Sequence, residues 1–203
     1  YTLVSVADYV LSRAKADGVK NLVTVSNLSS SRALRDVTES YGGTYFASAV
    51  GEVNATTLMH EKGAIIGGEG NGGVIYPAIH SGRDAMVGVA LFLSNLAHKK
   101  MTVSELKKTY PEYHIAKNKI ELSDKGLIDK ILSELKVIYA HENVNDIDGV
   151  KISFEDKREW VHLRKSNTEP IIRIYSEAPT EEEAVKLGEK VIAVAEKIIS
   201  SAK

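Results

Sequence analysis

Apolar residues recur at helical spacing from the first positions of the chain. Leu3, Val6, Val10 and Ala14 lie three or four residues apart and Gly18 follows them, which predicts a helix that stops at this glycine. Three short apolar runs, NLVTV, TYFASA and AII, alternate with two more helical patterns, SSRALRDVTESYGG and VNATTLMHEKG. Alternating strands and helices are typical of a three-layer α/β domain with a mainly parallel sheet.

A longer amphipathic helix is predicted to begin at Ser81. Asp84 follows three residues later, the spacing of a capping box. The apolar residues of this helix share one face; they are Met86, Val89, Ala90, Leu93, Leu96 and Ala97.

The pattern changes near Tyr110. Pro111 interrupts the helical spacing, and YHIAKNKIEL then predicts a strand. A helix pattern, three strand patterns (DGVKISF, EWVHLRK and PIIRIYSEA) and a last helix pattern follow. We therefore predict two domains: an α/β domain at 1–110, and a smaller α+β domain at 111–203 with an antiparallel sheet packed on helices.

Composition narrows the possible functions. The 203 residues are 43% apolar, with 26 basic against 27 acidic side chains and no cysteine. This balance argues against a general nucleic-acid binder, and the lack of cysteine removes disulfides and thiolate chemistry. No apolar run approaches the roughly 18 residues of a membrane span. We expect a cytoplasmic protein with no membrane partner.

A glycine cluster, GGEGNGG, contains the spacing G-x-G-x-x-G at Gly68, Gly70 and Gly73. A dinucleotide site would need a helix to open directly from these glycines, but the extended run VIYP follows instead. Glycines allow close approach of a ligand to the backbone, and Glu69 and Asn71 supply hydrogen-bonding groups that suit sugar hydroxyls. The alternative is a glycine-rich turn between two strands.

A second stretch, RKSNTEPIIRIY, concentrates donors in one turn. Arg164 and Arg173 flank three hydroxyl or amide side chains, and guanidinium groups bind phosphate in a bidentate manner. The alternative is a hairpin whose arginines pair with Glu169 and Glu177, and in a phosphate site Glu169 is expected to point away or brace an arginine.

Other patterns carry less chemistry. The segment DIDG with Glu155 matches part of a calcium loop, but Val144 occupies the first ligand position. The histidines are scattered, and the glycosylation sequons at Asn27 and Asn54 are interpreted as chance matches.

Taken together, the two loops resemble those of the α-D-phosphohexomutases. LRKSNTEPIIRIY is similar to the phosphate-binding loop of that family's fourth domain, and GGEGNGG is similar to the sugar-binding loop of its third domain. The resemblance implies a phosphate site formed by Arg164, Ser166, Asn167, Thr168 and Arg173. It also implies a sugar site formed by Glu69 and Asn71, with a weaker match at Gly51 and Glu52; where many members have a histidine in the sugar loop, this chain has Gly73.

The resemblance covers only the last two of the family's four domains. The phosphoserine loop and the aspartate loop that binds Mg²⁺ have no counterpart in the sequence, so the chain is expected to contain no catalytic residues and no metal ligands. The implied full-length enzyme would contain the missing N-terminal domains, use Mg²⁺ and a sugar 1,6-bisphosphate activator, and act on a hexose or hexosamine phosphate. Among members of the family, phosphoglucosamine mutase is favoured over phosphomannomutase/phosphoglucomutase; a non-catalytic sugar-phosphate-binding module is the alternative of another class.

Overall fold

The computed structural model describes residues 1–122, 126–166 and 169–201. The chain divides into two compact units, Tyr1–Glu112 and Tyr113–Lys203. Among the described residues, no helix combines the length and apolar character needed to cross a membrane.

The first unit contains five strands and five helices. The strands are β1 (Val23–Asn27), β2 (Thr44–Ser48), β3 (Ile66–Gly68), β4 (Val74–Tyr76) and β5 (His80–Arg83). The helices are α1 (Thr2–Ala16), α2 (Ala33–Ser40), α3 (Glu52–Lys62), α4 (Ala85–Lys99) and α5 (Val103–Lys108). The sheet has the order β2-β1-β3-β4-β5. Strand β1 pairs in parallel with β2 and β3, and the shorter remaining pairings are antiparallel, which confirms the predicted α/β class.

Helices cover both faces of this sheet. Val23 and Val25 of β1 pack in one core cluster with Met59 of α3. Thr24, which lies between them, shares a 2.7 Å hydrogen bond with Thr38 of α2. Because neighbouring strand residues point to opposite faces, α2 and α3 lie on opposite sides of β1.

The predicted start of the long helix is wrong. Ser81 lies in β5, and α4 begins at Ala85 with Asp84 as its N-cap. The Asp84 carboxylate accepts a 3.0 Å hydrogen bond from the backbone N–H of Val87. The capping side chain is therefore the aspartate that was assigned to the first turn of the helix.

The apolar face of α4 is largely exposed. Met86 is 79% exposed, and Val89 and Leu93 are each 56% exposed. Ala90 and Ala97 on the same face are exposed too. The buried positions of the helix are Gly88 and Asn95.

Close packing and a polar network explain why α4 turns this other face inward. A Cβ atom on Gly88 would lie 3.2 Å from Val74 Cγ2, so glycine lets the helix approach β4. Asn95 donates through Nδ2 to the backbone carbonyl of Ser5 at 2.9 Å. The helix is thus oriented by a small residue and an amide, which apolar periodicity does not detect.

The centre of the network is the buried carboxylate of Asp8 on α1. It accepts hydrogen bonds from the hydroxyls of Tyr41 at 2.6 Å and Tyr110 at 2.7 Å, and pairs with Lys99 Nζ at 2.6 Å. Burial alone raises the pKa of Asp8, but these donors outweigh it and hold the pKa below its ordinary value.

The second unit is an antiparallel sheet packed on two helices, which confirms the predicted α+β class. Its strands are β6 (His114–Glu121), β7 (Asn143–Asn145), β8 (Val150–Phe154), β9 (Glu159–Lys165) and β10 (Ile171–Ala178), in the order β6-β10-β9-β8-β7. Helices α6 (Gly126–Ile138) and α7 (Glu181–Ser201) pack on one face of the sheet. Leu163, Ile172 and Ile174 belong to this core, so alternate residues such as Arg164 and Arg173 lie on the opposite face.

Candidate functional site

The carboxyl ends of the three parallel strands bring together the segments predicted to bind sugar. Strand β1 ends at Asn27, β2 is followed by Gly51 and Glu52, and β3 is followed by Glu69. Strand β1 lies between β2 and β3, so the chain order reverses there. Ligands of open α/β sheets bind in the crevice at such a reversal point.

The glycine cluster forms a tight hairpin loop between β3 and β4. The backbone N–H of Glu69 donates to Gly73 O at 2.9 Å, and that of Gly72 donates to Glu69 O at 3.1 Å. Gly68 has φ +151, and a Cβ there would lie 1.9 Å from Gly73 O. No helix opens from these glycines, so the turn between two strands is the correct local structure.

Glu69 is the buried carboxylate of this loop, at 6% exposure. One carboxylate oxygen accepts from Asn27 Nδ2 at 3.0 Å, and the other lies 3.4 Å from Arg83 Nη1. Asn71 is exposed, and its side-chain oxygen accepts from Gly73 N at 3.0 Å. The amide NH₂ is therefore the group that Asn71 can offer to a ligand.

Arg83, at the end of β5, joins Glu69 to Glu52. Its Nε donates to Glu52 Oε2 at 2.7 Å, and its backbone N–H donates to Glu52 Oε1 at 2.8 Å. The backbone N–H and then the guanidinium of Arg83 lower the pKa of Glu52 below its ordinary value. Gly51, with φ +124, precedes Glu52 as the N-cap of α3.

Sequence reasoning missed two residues of this cluster. Asn27 was considered only as a glycosylation sequon, yet its side chain is buried and also accepts hydrogen bonds from Ser29 N and Ser30 Oγ. Its position at the end of a buried strand was the available signal. Arg83 belongs to no recognisable motif, and only the fold places it beside two glutamates.

The two arginines of the second predicted site lie opposite each other. Arg164 on β9 and Arg173 on β10 are paired in antiparallel register, so their side chains leave the same face of the sheet. The backbone N–H of Ser166 donates to Ile171 O at 3.0 Å and closes the turn. Asn167 and Thr168, which were predicted to complete this site, lie outside the described residues.

Two buried polar atoms in this turn have no hydrogen-bond partner among the described residues. They are the Ser166 hydroxyl oxygen and Arg164 Nε. Arg164 Nε lies 3.5 Å from Asp148 Oδ2, within ion-pair distance but without hydrogen-bond geometry. Buried polar atoms are normally satisfied, so these two indicate a place where an acceptor from outside the protein could bind.

Arg173, the other arginine of this pair, makes one long ion pair with Glu169. Its Nη2 lies 3.8 Å from the Glu169 carboxylate, and the two side chains are 42% and 59% exposed. Exposed pairs of this kind contribute little to stability, typically below about 1 kcal/mol. Glu169 therefore braces Arg173 without preventing the guanidinium from engaging an anion.

The DIDG segment, rejected as a calcium loop, packs against β9. Gly149 has φ +73, and a Cβ there would lie 2.2 Å from Leu163 O. His162 Nε2 and Asp148 O are 2.7 Å apart. Burial lowers the pKa of His162 to about 4, so at neutral pH the ring is neutral and donates this hydrogen bond. No group of three or more His, Cys, Asp or Glu in the described ranges could hold a metal ion.

Comparisons with known proteins show the family to which the chain is related. Residues 1–113 match the model "Phosphoglucomutase/phosphomannomutase, alpha/beta/alpha domain III", and residues 118–194 match "Phosphoglucomutase/phosphomannomutase, C-terminal domain". A probable phosphoglucosamine mutase of Methanopyrus kandleri is 30% identical over 85% of this chain and 38% of its own length. A phosphoglucomutase/phosphomannomutase of Thermococcus kodakarensis is 35% identical over 94% of this chain and 41% of its own length.

A solved structure shows the same fold at low sequence identity. The N-acetylphosphoglucosamine mutase of Aspergillus fumigatus, in complex with GlcNAc-6P and magnesium, superimposes with a TM-score of 0.72 at 15% identity. The match covers 97% of this chain and 43% of that chain. The present chain thus spans less than half the length of the proteins it matches. With both of its units matched to consecutive domain models, the chain belongs to the phosphoglucomutase/phosphomannomutase family.

Proposed function

We propose that the chain supplies sugar and phosphate recognition to a phosphohexomutase that interconverts glucosamine 6-phosphate and glucosamine 1-phosphate. The observation that carries this proposal is the pair of unpartnered buried atoms, Ser166 Oγ and Arg164 Nε, beside the opposed Arg173. A phosphate group would accept from all three side chains. Charge-assisted hydrogen bonds of this type contribute about 1.5–3 kcal/mol each.

The turn that carries Arg164, Ser166 and Arg173, which we call the phosphate end, holds the substrate and does not perform the transfer. Asn167 and Thr168 would add an amide and a hydroxyl donor to the same turn. Several donors on adjacent side chains suit a bisphosphate intermediate that must present either of its phosphates to the reacting centre. The contribution of these residues to the rate is orientation and charge stabilisation.

The cluster of Asn27, Glu52, Glu69, Asn71 and Arg83, which we call the sugar end, offers both an acceptor and a donor to sugar hydroxyls. Glu69 accepts, and the free NH₂ of Asn71 donates, within one short hairpin. Asn27 and Arg83 hold the Glu69 carboxylate in place. A substrate hydroxyl would then meet an acceptor whose orientation is fixed before binding, which reduces the cost of ordering.

Charge at the sugar end favours an amino sugar. Glu52 and Glu69 carry two negative charges against the one positive charge of Arg83. A site with this balance attracts the ammonium group of a C2-amino sugar, whereas a C2 hydroxyl gains nothing comparable. The second candidate, a phosphomannomutase/phosphoglucomutase, is favoured by the T. kodakarensis relative of that name.

Magnesium chemistry is assigned to other parts of the enzyme. Magnesium is present in the complex of the A. fumigatus protein, and when bound it would neutralise charge on the phosphoryl group during transfer. No acidic cluster in the described part of this chain fits it. The reacting serine and the metal ligands would therefore belong to the proposed N-terminal domains.

Kinetics of the full-length enzyme that carries this chain test the proposal. We expect Arg173→Ala to raise the KM for glucosamine 6-phosphate about 10- to 100-fold, because one charge-assisted contact is lost. Glu69→Gln should weaken sugar binding and leave inhibition by inorganic phosphate intact. Arg13→Ala, an exposed arginine of α1, is the matched control and should change neither value.

Three outcomes would contradict the proposal or redirect it. Unchanged kinetics in Arg173→Ala would remove the phosphate assignment. A higher kcat/KM for glucose or mannose 6-phosphate than for glucosamine 6-phosphate would favour the second candidate. Upstream coding sequence without a serine loop and an aspartate loop would make the chain a non-catalytic sugar-phosphate-binding module.

A further inference from the structure

Arg83 connects three separate segments at the sugar end. Its backbone N–H and Nε engage both oxygens of Glu52, at 2.8 and 2.7 Å, at the first turn of α3. Its Nη1 reaches the buried Glu69 carboxylate at 3.4 Å. The same side chain thus links β5, the start of α3 and the glycine hairpin.

The contacts of Arg83 with Glu52 and with Glu69 have different effects. Two close contacts to Glu52 fix the plane of the guanidinium, because the backbone N–H and Nε both point at one carboxylate. The fixed guanidinium then places one positive N–H beside Glu69. The side chain of Glu69 is only 7% exposed. A buried carboxylate without a cationic partner lowers the stability of the fold.

Gly73 leaves the space that Arg83 occupies. A Cβ built on Gly73 would lie 2.5 Å from Arg83 Cδ and 3.1 Å from its Cγ. The φ of Gly73 does not lie in the left-handed region, so its backbone would accept an L-residue. Gly68, by contrast, has φ +151 and a backbone oxygen 1.9 Å from its own Cβ position. The hairpin therefore uses these two glycines for different reasons.

We propose that Arg83 is a positioning residue that orients the sugar-binding carboxylate Glu69, and that position 73 is glycine because a side chain there would displace Arg83. The first half of this inference rests on the proposed function; the second half rests on packing alone.

The first experiment measures the pairing without reference to activity. In the 203-residue chain, the NMR signal of the Arg83 Nε–H should lie downfield because it donates to Glu52. Gly73→Ala and Glu52→Gln should each shift it upfield, and Arg35→Ala should leave it unchanged. Arg35 is the matched control because its Nε donates to Glu39 at a similar 2.8 Å on the exposed surface of α2. An Arg83 signal that does not respond to Gly73→Ala would overturn the role given to Gly73.

The second experiment is a double-substitution cycle in the full-length enzyme. Arg83→Ala and Gly73→Ala should each raise the KM for glucosamine 6-phosphate about tenfold, with a smaller effect on kcat and none on inhibition by inorganic phosphate. Arg83→Ala removes the Cγ and Cδ that a Cβ on Gly73 would meet and leaves only the 3.2 Å approach to Asn71 Oδ1, so Gly73→Ala should raise KM much less in the Arg83→Ala background than in the wild type. Arg83→Lys keeps the charge without the fork and should restore only part of the loss.

The results separate this inference from the proposed function. If glucosamine 6-phosphate is turned over but Arg83→Ala leaves its KM unchanged, the positioning role is wrong and the proposed function stands. Suppose that no sugar phosphate is a substrate but the Arg83 Nε–H signal still responds to Gly73→Ala. The proposed function and the positioning role then both fail, and only the packing relation between Gly73 and Arg83 survives. Additive KM effects in the double variant would show that Gly73 acts independently of Arg83. A Gly68→Ala variant should disrupt the hairpin in either background.

Discussion

His162 is a single residue whose burial has a measurable consequence. It lies on β9 at 1% exposure, with Lys151 and Arg164 as cationic neighbours and the carbonyl of Asp148 as its hydrogen-bond acceptor. Burial is the largest cause of its low pKa, and the two cations lower it further, whereas Asp148 opposes them. The neutral ring is therefore the form that the folded chain stabilises.

Because the folded pKa of His162 lies below the ordinary value of 6.5, its contribution to stability is present above pH 6.5. The contribution decreases as the pH falls toward 4, since the unfolded state binds the proton more readily. Between pH 7.5 and pH 5 we expect a loss of about 2 kcal/mol in the free energy of unfolding from this residue. Urea unfolding at the two pH values measures it.

The variant His162→Gln provides the control for this pH effect. Glutamine keeps an N–H donor for Asp148 O but does not titrate, so the part of the pH dependence that belongs to His162 should disappear. His141 is exposed, and His141→Gln should leave the pH dependence unchanged. A wild-type slope that persists in His162→Gln would contradict the assignment.

At the scale of elements, α4 separates what periodicity can predict from what it cannot. Apolar spacing predicted the helix, although its start lies four residues later than expected, and its inward face carries Gly88 and Asn95. Periodicity assumes that apolar side chains seek the core. Here a glycine allows close approach to Val74 and a buried amide joins the Asp8 network, and these local requirements decide the rotation of the helix.

The exposed face of α4 can be tested by a matched pair of substitutions. Leu93→Ser should change the free energy of unfolding of this chain by no more than about 0.5 kcal/mol, because Leu93 is 56% exposed. Leu11→Ser on α1 should cost about 3 kcal/mol or more, because Leu11 is fully buried. Equal losses in chemical denaturation would show that Leu93 is buried after all.

At the scale of the whole molecule, the fold class followed from the sequence, while the assembly of the cluster around Glu52, Glu69 and Arg83 did not. Alternation of strands and helices predicted the α/β class of the first unit, and three successive strand patterns between two helix patterns predicted the α+β class of the second, since each element has its own local periodicity. Glu52 and Glu69 were predicted separately from two loops, but their connection through Arg83 depends on the hairpin that returns β5 to the sheet. Contacts between residues distant in sequence carry no local pattern, so Asn27 and Arg83 emerged only from the fold.

In the proposed enzyme this chain binds the substrate and the N-terminal domains perform the phosphoryl transfer. This assignment leads to a prediction for the 203-residue chain alone. No sequence similar to T-A-S-H-N-P or D-x-D-x-D occurs in it, so it contains the proposed phosphate donors but no serine loop and no aspartate loop. We expect the isolated chain to bind glucosamine 6-phosphate in calorimetry, with weaker affinity than the full-length enzyme. We expect no conversion to glucosamine 1-phosphate in the presence of Mg²⁺ and a bisphosphate activator.

Two controls make this test decisive. The full-length enzyme under the same conditions should turn over, which shows that the assay is competent. Arg173→Ala in the isolated chain should weaken binding about 10-fold or more, because the proposed phosphate contact is made by this chain itself. Turnover by the isolated chain would mean that reacting groups lie within these 203 residues. Binding that survives Arg173→Ala unchanged would move the phosphate contact away from the paired strands β9 and β10.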